Sequence, residues 1–549
     1  MSDIIFKEQP FTQEAMDRIK GTFIDDYPVV YIIYNNDQKP MAYIGQTVHA
    51  KQRIQQHLKD QQRKKLNATL IIGYQKFNQS ATYNIETNLI NYFIADSKYQ
   101  LQNMSQTTNS QVHNYFDKHY YHREVFKEIW AGLKSRNIVK EDIDILENKD
   151  VFKLSPYKSL STSQLKVKED ILDYCTKQIH KDGQHVFLIK GEAGTGKSVV
   201  LSSLFNTLQD YSKDTSSSLY KTNNYLLVNH GEMIKTYQSI ASSLPNLKKN
   251  NFLKPTSFIN KVDKGTIKAA DVVLVDEAHL LLSKEDTYNN FNYQNHLEEI
   301  IKRSKITVII FDPKQFLKIK SYWNEATIRD MTKQHKTTVY HLTDQFRIQA
   351  SEAVPAWIDA FVENRLLPIP NELEGFELKV FESSQAIKEA IFKQNEAHGL
   401  SRLVSTFDYL HKKDGNSYLV DEGGIHLPWN TTSTKTTWAE EASTIREVGS
   451  IYTVQGFDLN YVGVIIGPSI SYDPRTDQLV IDTQKYKDTE AYRKRQDLSE
   501  QENEQLKVEI ILNSLNVLMK RGIHGLYIYA TDDNLRERLL ELQEEGQYV

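Results

Sequence analysis

Cysteine is almost absent from this sequence of 549 residues: Cys175 is the single one, so the chain cannot form an internal disulfide bond. Proteins without disulfides are typical of reducing compartments, and we therefore expect a cytoplasmic protein. Long apolar runs are also missing, because no stretch approaches the about 18 residues that a membrane helix needs. The N-terminus carries acidic residues and lacks the apolar core of a signal peptide. These absences argue against a secreted or membrane protein.

An excess of positive charge is missing too. The formal net charge is −4, so the chain is not uniformly basic. The net charge does not exclude local basic grooves, which matter more than the total charge for an enzyme that acts on nucleic acid. Internal repeats and metal-binding Cys/His clusters are not visible in the sequence. With 40% hydrophobic residues, the composition is that of an ordinary soluble protein, and the length suggests about three to five domains.

The octapeptide at 191–198 fits the phosphate-binding loop pattern of a glycine, four residues and Gly-Lys-Ser. An apolar run at 186–189 predicts a buried strand before it, and helical periodicity follows at 199–208. Backbone N–H groups and a helix N-terminus in this arrangement cradle polyphosphate. We expect Lys197 to reach the β- and γ-phosphates and the Ser198 hydroxyl to bind Mg²⁺. The predicted nucleotide-binding residues are Gly191, Gly194, Thr195, Gly196, Lys197 and Ser198.

Asp276 and Glu277 form an acidic pair at the end of a second apolar run, 271–275, which predicts a strand. In an ATPase such a pair supplies the other half of the site. Asp276 would hold Mg²⁺ through water, and Glu277 would orient and deprotonate the attacking water. The loop and the acidic pair together predict ATP and Mg²⁺ as ligands.

The segments after the acidic pair resemble the motifs of superfamily 1 helicases. The tetrapeptide at 276–279 alone would also suit superfamily 2. The later segments are Asp312-Pro313-Lys314-Gln315, resembling motif III, Asp344-Gln345-Phe346-Arg347, resembling motif IV, Thr453-Val454-Gln455-Gly456-Phe457-Asp458, resembling motif V, and Met519-Lys520-Arg521-Gly522, resembling motif VI. The stretch 155–549 thus resembles superfamily 1 helicases, nearest the Schlafen-type helicase group.

This resemblance implies roles for four further residues. Gln315 would sense the γ-phosphate, and Gly456 belongs to the motif that links nucleotide state to the nucleic-acid strand. Arg347 and Arg521 would stabilise γ-phosphate charge as arginine fingers do. Gln164 lies before a helical pattern upstream of the loop. It either reads the adenine edge, as in helicases, or is an exposed residue of a capping segment.

The first hundred residues carry a second pattern. The runs 29–34 and 41–44 flank a turn and predict a β-hairpin. In the basic segment that follows, Arg53 and His57 are four residues apart and share one face of a helix. A strand is expected at 68–75, and a helix that carries Glu86 is expected at 85–93.

The hairpin pattern resembles the paired signature of the GIY-YIG nucleases, in Val29-Val30-Tyr31 and Tyr43-Ile44-Gly45. Arg53, His57, Glu86 and Asn103 fall where that family places its other polar residues. The resemblance implies a divalent metal on Glu86, with Mn²⁺ as an alternative to Mg²⁺. It places Tyr31 and Tyr43 near the attacked phosphate and Arg53 on the phosphorane charge. Tyr31 or His57 would help to activate the nucleophile. Val29 replaces the first signature glycine, and we expect this to affect packing.

The sequence therefore predicts an α/β protein, in which a small GIY-YIG-like α/β domain precedes two RecA-like doubly wound parallel-sheet domains. The predicted divisions are a nuclease domain at 1–105, a helical connector at 106–154, a first ATPase domain at 155–335 and a second at 336–549 with helical insertions.

Three stretches of the second ATPase domain carry separate expectations. The stretch 355–399 is expected to be a helical insertion, and 473–509 is a mixed-charge, helix-prone stretch typical of a solvated surface. The stretch 429–438, with a tryptophan at each end, is either a stacking surface for a single strand or a polar loop.

The function predicted from these motifs is an ATP-dependent nucleic-acid helicase or translocase coupled to a metal-dependent endonuclease. The partner is nucleic acid, with DNA favoured and RNA left open, and no membrane. By analogy, the setting is bacterial defence against foreign DNA, antiviral defence included, or repair. The alternative is an ATP-gated nucleic-acid sensor or scaffold that does not unwind, whose nuclease-like domain serves as a binding module.

Overall fold

The computed structural model describes residues 3–19, 24–103, 115–191, 194–287, 290–312, 333, 335–342, 353–371, 373, 375–412, 414, 416–431, 437–454, 456–492 and 498–546.

The N-terminal part contains a five-stranded sheet and three helices. Its elements are β1 (Ile5–Pro10), α1 (Gln13–Asp17), β2 (Val29–Tyr34), β3 (Met41–Thr47), α2 (Ala50–Leu58), β4 (Ala68–Gly73), α3 (Gln79–Asp96) and β5 (Gln100–Leu101). The strand order is β1-β4-β2-β3-β5, with β5 parallel to β3 and the other pairs antiparallel. All of β2 is buried, because its alternate side chains enter two separate apolar cores on the two faces of the sheet.

Helices connect this sheet to the rest of the chain. They are α4 (Lys118–Tyr120), a π-helical turn (Tyr121–Val125), α5 (Phe126–Ser135), α6 (Ile143–Asn148) and α7 (Asp150–Lys153). Aromatic rings hold the connector to α3: the centroids of Phe126 and Phe152 lie 4.8 and 4.6 Å from that of Tyr92. One apolar core runs from the first sheet through this connector into the second sheet.

The second sheet has six parallel strands. Its elements are α8 (Thr162–Gln178), β6 (His185–Gly191), α9 (Lys197–Tyr211), β7 (Asn224–Val228), α10 (Gly231–Ser243), β8 (Phe252–Leu253), α11 (Pro255–Asp263), β9 (Ala270–Asp276), α12 (His296–Lys302), β10 (Ser304–Phe311) and β11 (Lys336–Leu342). The strand order is β11-β6-β10-β9-β7-β8. The inner strands are continuous apolar runs, because helices cover both faces of a parallel sheet.

The third sheet has five parallel strands and two hairpins beside it. Its elements are α13 (Ala353–Val362), β12 (Glu377–Val380), α14 (Ser384–His398), β13 (Arg402–Ser405), β14 (Leu419–Glu422), β15 (Ile425–Pro428), β16 (Val448–Gly449), α15 (Ile451–Val454), β17 (Leu459–Ile466), β18 (Ile470–Asp473), β19 (Gln478–Ile481), α16 (Glu500–Met519), β20 (Gly522–Ala530) and α17 (Asp533–Gly546). The strand order is β12-β20-β17-β13-β16. The predicted α/β fold class, with two parallel-sheet domains after a GIY-YIG-like domain, is confirmed.

Four local expectations meet a different structure. β11 follows residue 335, yet it pairs with β6, and we therefore propose the division between the two ATPase domains after Leu342. The stretch 355–399 contains α13 and α14 as expected, but β12 is an edge strand of the third sheet. The stretch 473–509 begins in the hairpin of β18 and β19 and reaches α16. Trp429 and Trp438 are 1% and 3% exposed, so both are core residues and not stacking platforms. Residues 432–436 and 493–497 lie outside the described residues.

None of the helices in the described part of the chain combines the length and the apolar character that crossing a membrane requires.

Candidate functional sites

The phosphate loop lies at the carboxyl end of β6, where parallel sheets bind their ligands. Gly194 and Gly196 have φ of 90° and 70°, a left-handed conformation that favours glycine. A Cβ on Gly191 would lie 2.7 Å from Thr195 Oγ1 and 2.9 Å from Leu342 O. Thr195 of the loop and Leu342 of β11 therefore leave no room for a side chain at position 191.

Lys197 begins α9 and points back into the loop. Its Nζ donates to Gly191 O at 2.7 Å and lies 3.5 Å from Asp312 Oδ2. The side chain is 8% exposed. A buried ammonium group at the rim of a loop of backbone N–H groups is placed to meet phosphate oxygens.

Asp276 joins the loop to the acidic pair. Its Oδ1 accepts from Ser198 Oγ at 3.1 Å and from the backbone N–H of Glu277 at 3.0 Å, and its Oδ2 accepts from Tyr237 Oη at 2.7 Å. Burial, and then the charge of Glu277, raise the pKa of Asp276. A divalent cation would relieve this crowding of negative charge, and the hydroxyl and carboxylate oxygens fit the hard donors that Mg²⁺ prefers. Groups of three or more His, Cys, Asp or Glu side chains suited to a metal do not occur among the described residues, so phosphate and water would have to supply the other Mg²⁺ ligands.

Glu277 has φ of 50°, a strained conformation for a residue with a side chain, and strain of this kind clusters at functional sites. Its Oε2 lies 3.4 Å from Nε2 of the buried His279. Burial above all lowers the pKa of His279 to about 4, so this imidazole is neutral near pH 7. A neutral histidine can orient the Glu277 carboxylate and leave its negative charge in place for water.

The third sheet reaches this site through Arg521 and Gly456. Arg521 is 1% exposed, and its guanidinium donates to Val517 O and to Phe457 O, at 2.9 and 3.1 Å. Its charge is the last of the named causes that lower the pKa of His279, so its positive charge acts on the histidine that follows the acidic pair. Gly456 has φ of 86°, and a Cβ there would lie 2.9 Å from Met233 Sδ on α10. The segment that resembles motif V therefore packs directly on the first ATPase domain.

Gln164 forms a capping box with Ser161 at the start of α8, but it is buried and not exposed. Its Oε1 accepts from the backbone of Ser161 at 2.9 Å, and its Nε2 donates to Thr195 O at 3.0 Å. It thus ties the start of α8 to the phosphate loop, while its contact with adenine stays a prediction. Gln315 and Arg347 lie outside the described residues.

The nuclease candidates gather around Tyr31 on β2. Its Oη and His57 Nε2 are 2.8 Å apart, and the Tyr43 ring centroid lies 4.8 Å from that of His57. Burial, and then the charges of Arg63 and Arg53, lower the pKa of His57 to about 3. Burial first, and then Tyr43, raise the pKa of Tyr31 well above its usual value. Near pH 7 both groups are therefore neutral and share one hydrogen bond, whose donor is set by the tautomer of His57, so the two predicted activators form one pair.

Arg53 is the exposed member of this group. Its Nη1 donates to Gln56 Oε1 at 3.1 Å, and although burial alone would lower its pKa, the nearby Tyr31 and Tyr43 raise it. Its positive charge therefore lies near both signature tyrosines, where a phosphorane charge is expected.

Glu86 lies on α3 and is 4% exposed, and its charge acts on Tyr31. The hard oxygens of a carboxylate fit a divalent metal here. Asn103 has a structural position: its side chain accepts from the N–H of Ile44 at 3.0 Å and donates to the C=O of Ile44 at 2.7 Å, which fixes β3. Val29 is fully buried in an apolar core, in agreement with a packing effect.

Gly45 makes room for Tyr31. A Cβ at this position would lie 2.4 Å from Tyr31 Oη and 2.5 Å from Cζ. We expect Gly45→Ala to displace the phenol and to reduce cutting by about 10²-fold, the loss that a shift of about 1 Å can cause. Gly231→Ala is the matched control, because its added Cβ meets no atom within 4 Å. Rates of oligonucleotide cleavage test this, and an unchanged rate for Gly45→Ala would contradict the placement of Tyr31.

Two residues at these sites are missing from the sequence prediction. Tyr237 binds Asp276 from α10, and Arg63 lies over the ring of Tyr43 with its Cζ 4.0 Å from the centroid. Neither belongs to a motif with fixed spacing. In the sequence, only the position of Arg63 in the basic segment before β4 points to a role at the nuclease site.

Two family models match the chain. The family model for the Schlafen group 3, DNA/RNA helicase domain matches residues 184–532, and that for the GIY-YIG catalytic domain matches residues 27–99. A curated relative from Saccharomyces cerevisiae (strain ATCC 204508 / S288c), the uncharacterized protein YPL245W, is 39% identical over 414 residues, which is 70% of this chain and 90% of the yeast protein.

Two solved helicases align with large parts of the chain. The crystal structure of Pif1 helicase from Candida albicans aligns at 13% identity and a TM-score of 0.28, covering 71% of this chain and 99% of that one. The DEAH/RHA helicase HrpB of Escherichia coli aligns at 10% identity and a TM-score of 0.28, covering 69% and 44%. We draw no conclusion from likenesses at this TM-score. On the family match and the yeast relative, the chain belongs to the Schlafen group 3 DNA/RNA helicase family and carries a GIY-YIG catalytic domain ahead of its helicase domain.

Proposed function

We propose that the chain is an ATP-driven helicase or translocase of the superfamily 1 type whose N-terminal domain is a metal-dependent endonuclease. The observation that carries this proposal is the hydrogen bond from Ser198 to Asp276, which joins the phosphate loop to the acidic pair. A phosphate loop and an acidic pair joined in this way are the two halves of an NTP-hydrolysing site.

In the motor, each residue has one task. Lys197 binds the β- and γ-phosphates of ATP, and Ser198 with Asp276 would hold Mg²⁺, which would neutralise phosphate charge. Glu277 takes a proton from the attacking water as the bond to the leaving ADP oxygen breaks. Arg521 stabilises the charge on the transferred group, and closing of the cleft brings it nearer. Gln315 and Arg347 are proposed to complete the γ-phosphate contacts.

In the nuclease, Tyr31 and His57 act as a relay. A bound phosphodiester brings negative charge that offsets Arg53 and Arg63, the two charges that lower the pKa of His57. The Tyr31 oxygen then takes a proton from water while its own proton moves to His57 Nε2. The resulting hydroxide attacks phosphorus as the bond to one sugar oxygen breaks, and that oxygen takes up a proton from solvent. Arg53 stabilises the pentavalent phosphorane. Glu86 would hold Mg²⁺ or Mn²⁺, which would supply Lewis-acid chemistry.

The connector and the three residues after it, 155–157, are proposed to couple the two activities, since residues 155 and 157 contact the nuclease helix that carries Glu86. Ser155 Oγ donates to Asn91 Oδ1 at 2.6 Å, and Asn91 Nδ2 donates to Tyr157 O at 3.0 Å. Asn91 and Glu86 lie on the same helix, α3, little more than one turn apart. A shift of residues 155–157 therefore acts on the nuclease helix.

The same connector contacts both halves of the motor. Ser202 Oγ on α9 donates to Leu154 O at 2.7 Å, and Lys153 Nζ donates to Asp458 O at 3.0 Å. Asp458 follows Gly456 by two residues, in the segment that resembles motif V. Opening and closing of the ATP cleft would therefore pull on residues 153 and 154 and, through them, on α3.

We expect Lys153→Ala to weaken this coupling. The change removes a charge-assisted hydrogen bond worth about 1.5–3 kcal/mol between the connector and the second motor half. ATP hydrolysis and cutting should both persist, while the change in cutting rate on adding ATP should shrink severalfold. Lys134→Ala, in the same connector but paired with Asp142, serves as the control. An undiminished ATP effect in Lys153→Ala would contradict this route.

The substrate is proposed to be DNA, with RNA as the competing choice. Bacterial defence or repair remains a prediction from analogy, and the yeast origin of the curated relative lends it no support.

One observation favours a second candidate, an ATP-gated sensor or scaffold that does not unwind. Tyr31, His57 and Glu86 are at most 4% exposed. Such burial is what we expect if the domain binds a partner through its surface and does not cut. Turnover separates the two functions. Wild-type chain would be mixed with single- and double-stranded DNA and RNA, with and without Mg²⁺, Mn²⁺ and ATP. The proposed function expects nucleic acid to stimulate ATP hydrolysis and expects metal-dependent cutting; tight ATP-dependent binding without either would favour the scaffold.

A further inference from the structure

Arg63 follows the basic helix and returns to the nuclease centre. It ends a 3₁₀ turn at Gln61–Arg63, whose start is capped by Asp60: Oδ1 accepts from the N–H of Gln62 at 2.9 Å. The other oxygen of Asp60 pairs with the Arg63 guanidinium. The Arg63 side chain is only 13% exposed. A single carboxylate thus fixes both the turn and the direction of the arginine.

The guanidinium of Arg63 lies on the signature tyrosine. Its Cζ is 4.0 Å from the centre of the Tyr43 ring, a cation–π distance. Tyr43 raises the pKa of Arg53 as well, so the positive charges of both arginines lie near this tyrosine. The two like charges repel, and Asp60 neutralises only one of them. An anion between the two arginines would offset the repulsion.

One hydrogen-bond donor of the Arg63 guanidinium group is not used. Its Nε–H is buried and has no hydrogen-bond partner among the described residues. A buried donor without a partner costs about 1–3 kcal/mol, and native proteins rarely keep one without a reason. Nε and a terminal nitrogen of arginine form the planar fork that matches two oxygens of a phosphate.

We propose that Arg63 is a second catalytic arginine of the nuclease centre, whose fork holds the non-bridging oxygens of the scissile phosphodiester opposite Arg53. The inference rests on the proposed nuclease function. The alternative is that Arg63 only braces the turn through Asp60. A brace would alter the thermal stability of the chain, whereas a phosphate ligand that tightens on the phosphorane alters kcat.

The test compares full-length wild type, Arg63→Ala, Arg63→Lys and Lys64→Ala on an oligonucleotide with Mg²⁺. Lys64 is the adjacent exposed cation and serves as the matched control. We expect Arg63→Ala to lower kcat by about 10²–10³-fold with a smaller change in KM, as removal of one preorganised donor does. Arg63→Lys should keep a minor part of the activity, because an ammonium group lacks the fork. Lys64→Ala should stay near the wild-type rate.

The outcomes separate cleanly. If Arg63→Ala keeps the wild-type kcat, the inference is overturned. It is also overturned if the loss of kcat is fully explained by a lowered melting temperature. If Arg63→Ala fails to fold, Arg63→Lys decides, because full activity in that variant would leave no role for the fork. A wild-type chain that cuts no substrate overturns the proposed function, and this inference falls with it.

Discussion

Lys197→Ala is expected to abolish ATP hydrolysis and to leave the fold intact. Lys197 is the positive charge inside the loop, buried beside Gly191 and Asp312, and no other lysine of the described loop can take its place. Loss of one preorganised charge-stabilising group lowers kcat by about 10²–10³-fold, and loss of phosphate binding adds to this. Phosphate release measured with excess ATP and nucleic acid tests the expectation.

The control for this prediction is Lys177→Ala on α8, since Lys177 is exposed and pairs with Asp173 on the same helix. It should hydrolyse ATP at the wild-type rate. If Lys197→Ala kept a substantial part of the wild-type rate, the phosphate loop would not be the site of hydrolysis.

Glu86→Ala is expected to abolish cutting and to leave ATP hydrolysis unchanged. Glu86 is the carboxylate proposed to hold the metal, and its charge reaches Tyr31. Without it the site loses its metal, and cutting should fall by about 10²–10³-fold or more. Cleavage assays over a range of Mg²⁺ and Mn²⁺ concentrations test this.

Glu86→Gln refines the result, because it keeps the volume of this buried side chain and removes its charge. It should fail to cut as well, with a melting temperature near that of the wild type. Glu128→Ala, an exposed change on α5, should cut normally. Residual cutting in both Glu86 variants at high metal concentration would rule out the metal role of Glu86.

The features predicted well from sequence are those with a local physical cause. Gly194 and Gly196 adopt the left-handed backbone conformation that glycine favours, so eight consecutive residues are enough to predict the loop. The strand before it and the helix after it follow from an apolar run and from helical periodicity. Arg53 and His57 share one face of α2 because of their spacing alone.

The features that escaped prediction depend on distant parts of the chain. β12 has four residues, and its place at the sheet edge is set by pairing with residues of β20 that lie 148 positions later in the chain. Trp429 and Trp438 sit in a polar stretch, but tertiary packing buries both rings. Tyr237 and Arg63 reach their sites only when the fold brings α10 to Asp276 and a short turn to Tyr43.

The central claim is that ATP turnover in the helicase domain controls nucleic-acid cutting in the GIY-YIG domain. The most direct measurement is the cutting rate of wild type and of Lys197→Ala on the same metal-loaded substrate, each with and without ATP. The account predicts that ATP changes the wild-type rate severalfold and leaves the Lys197→Ala rate unchanged. Equal cutting rates in all four reactions would contradict it.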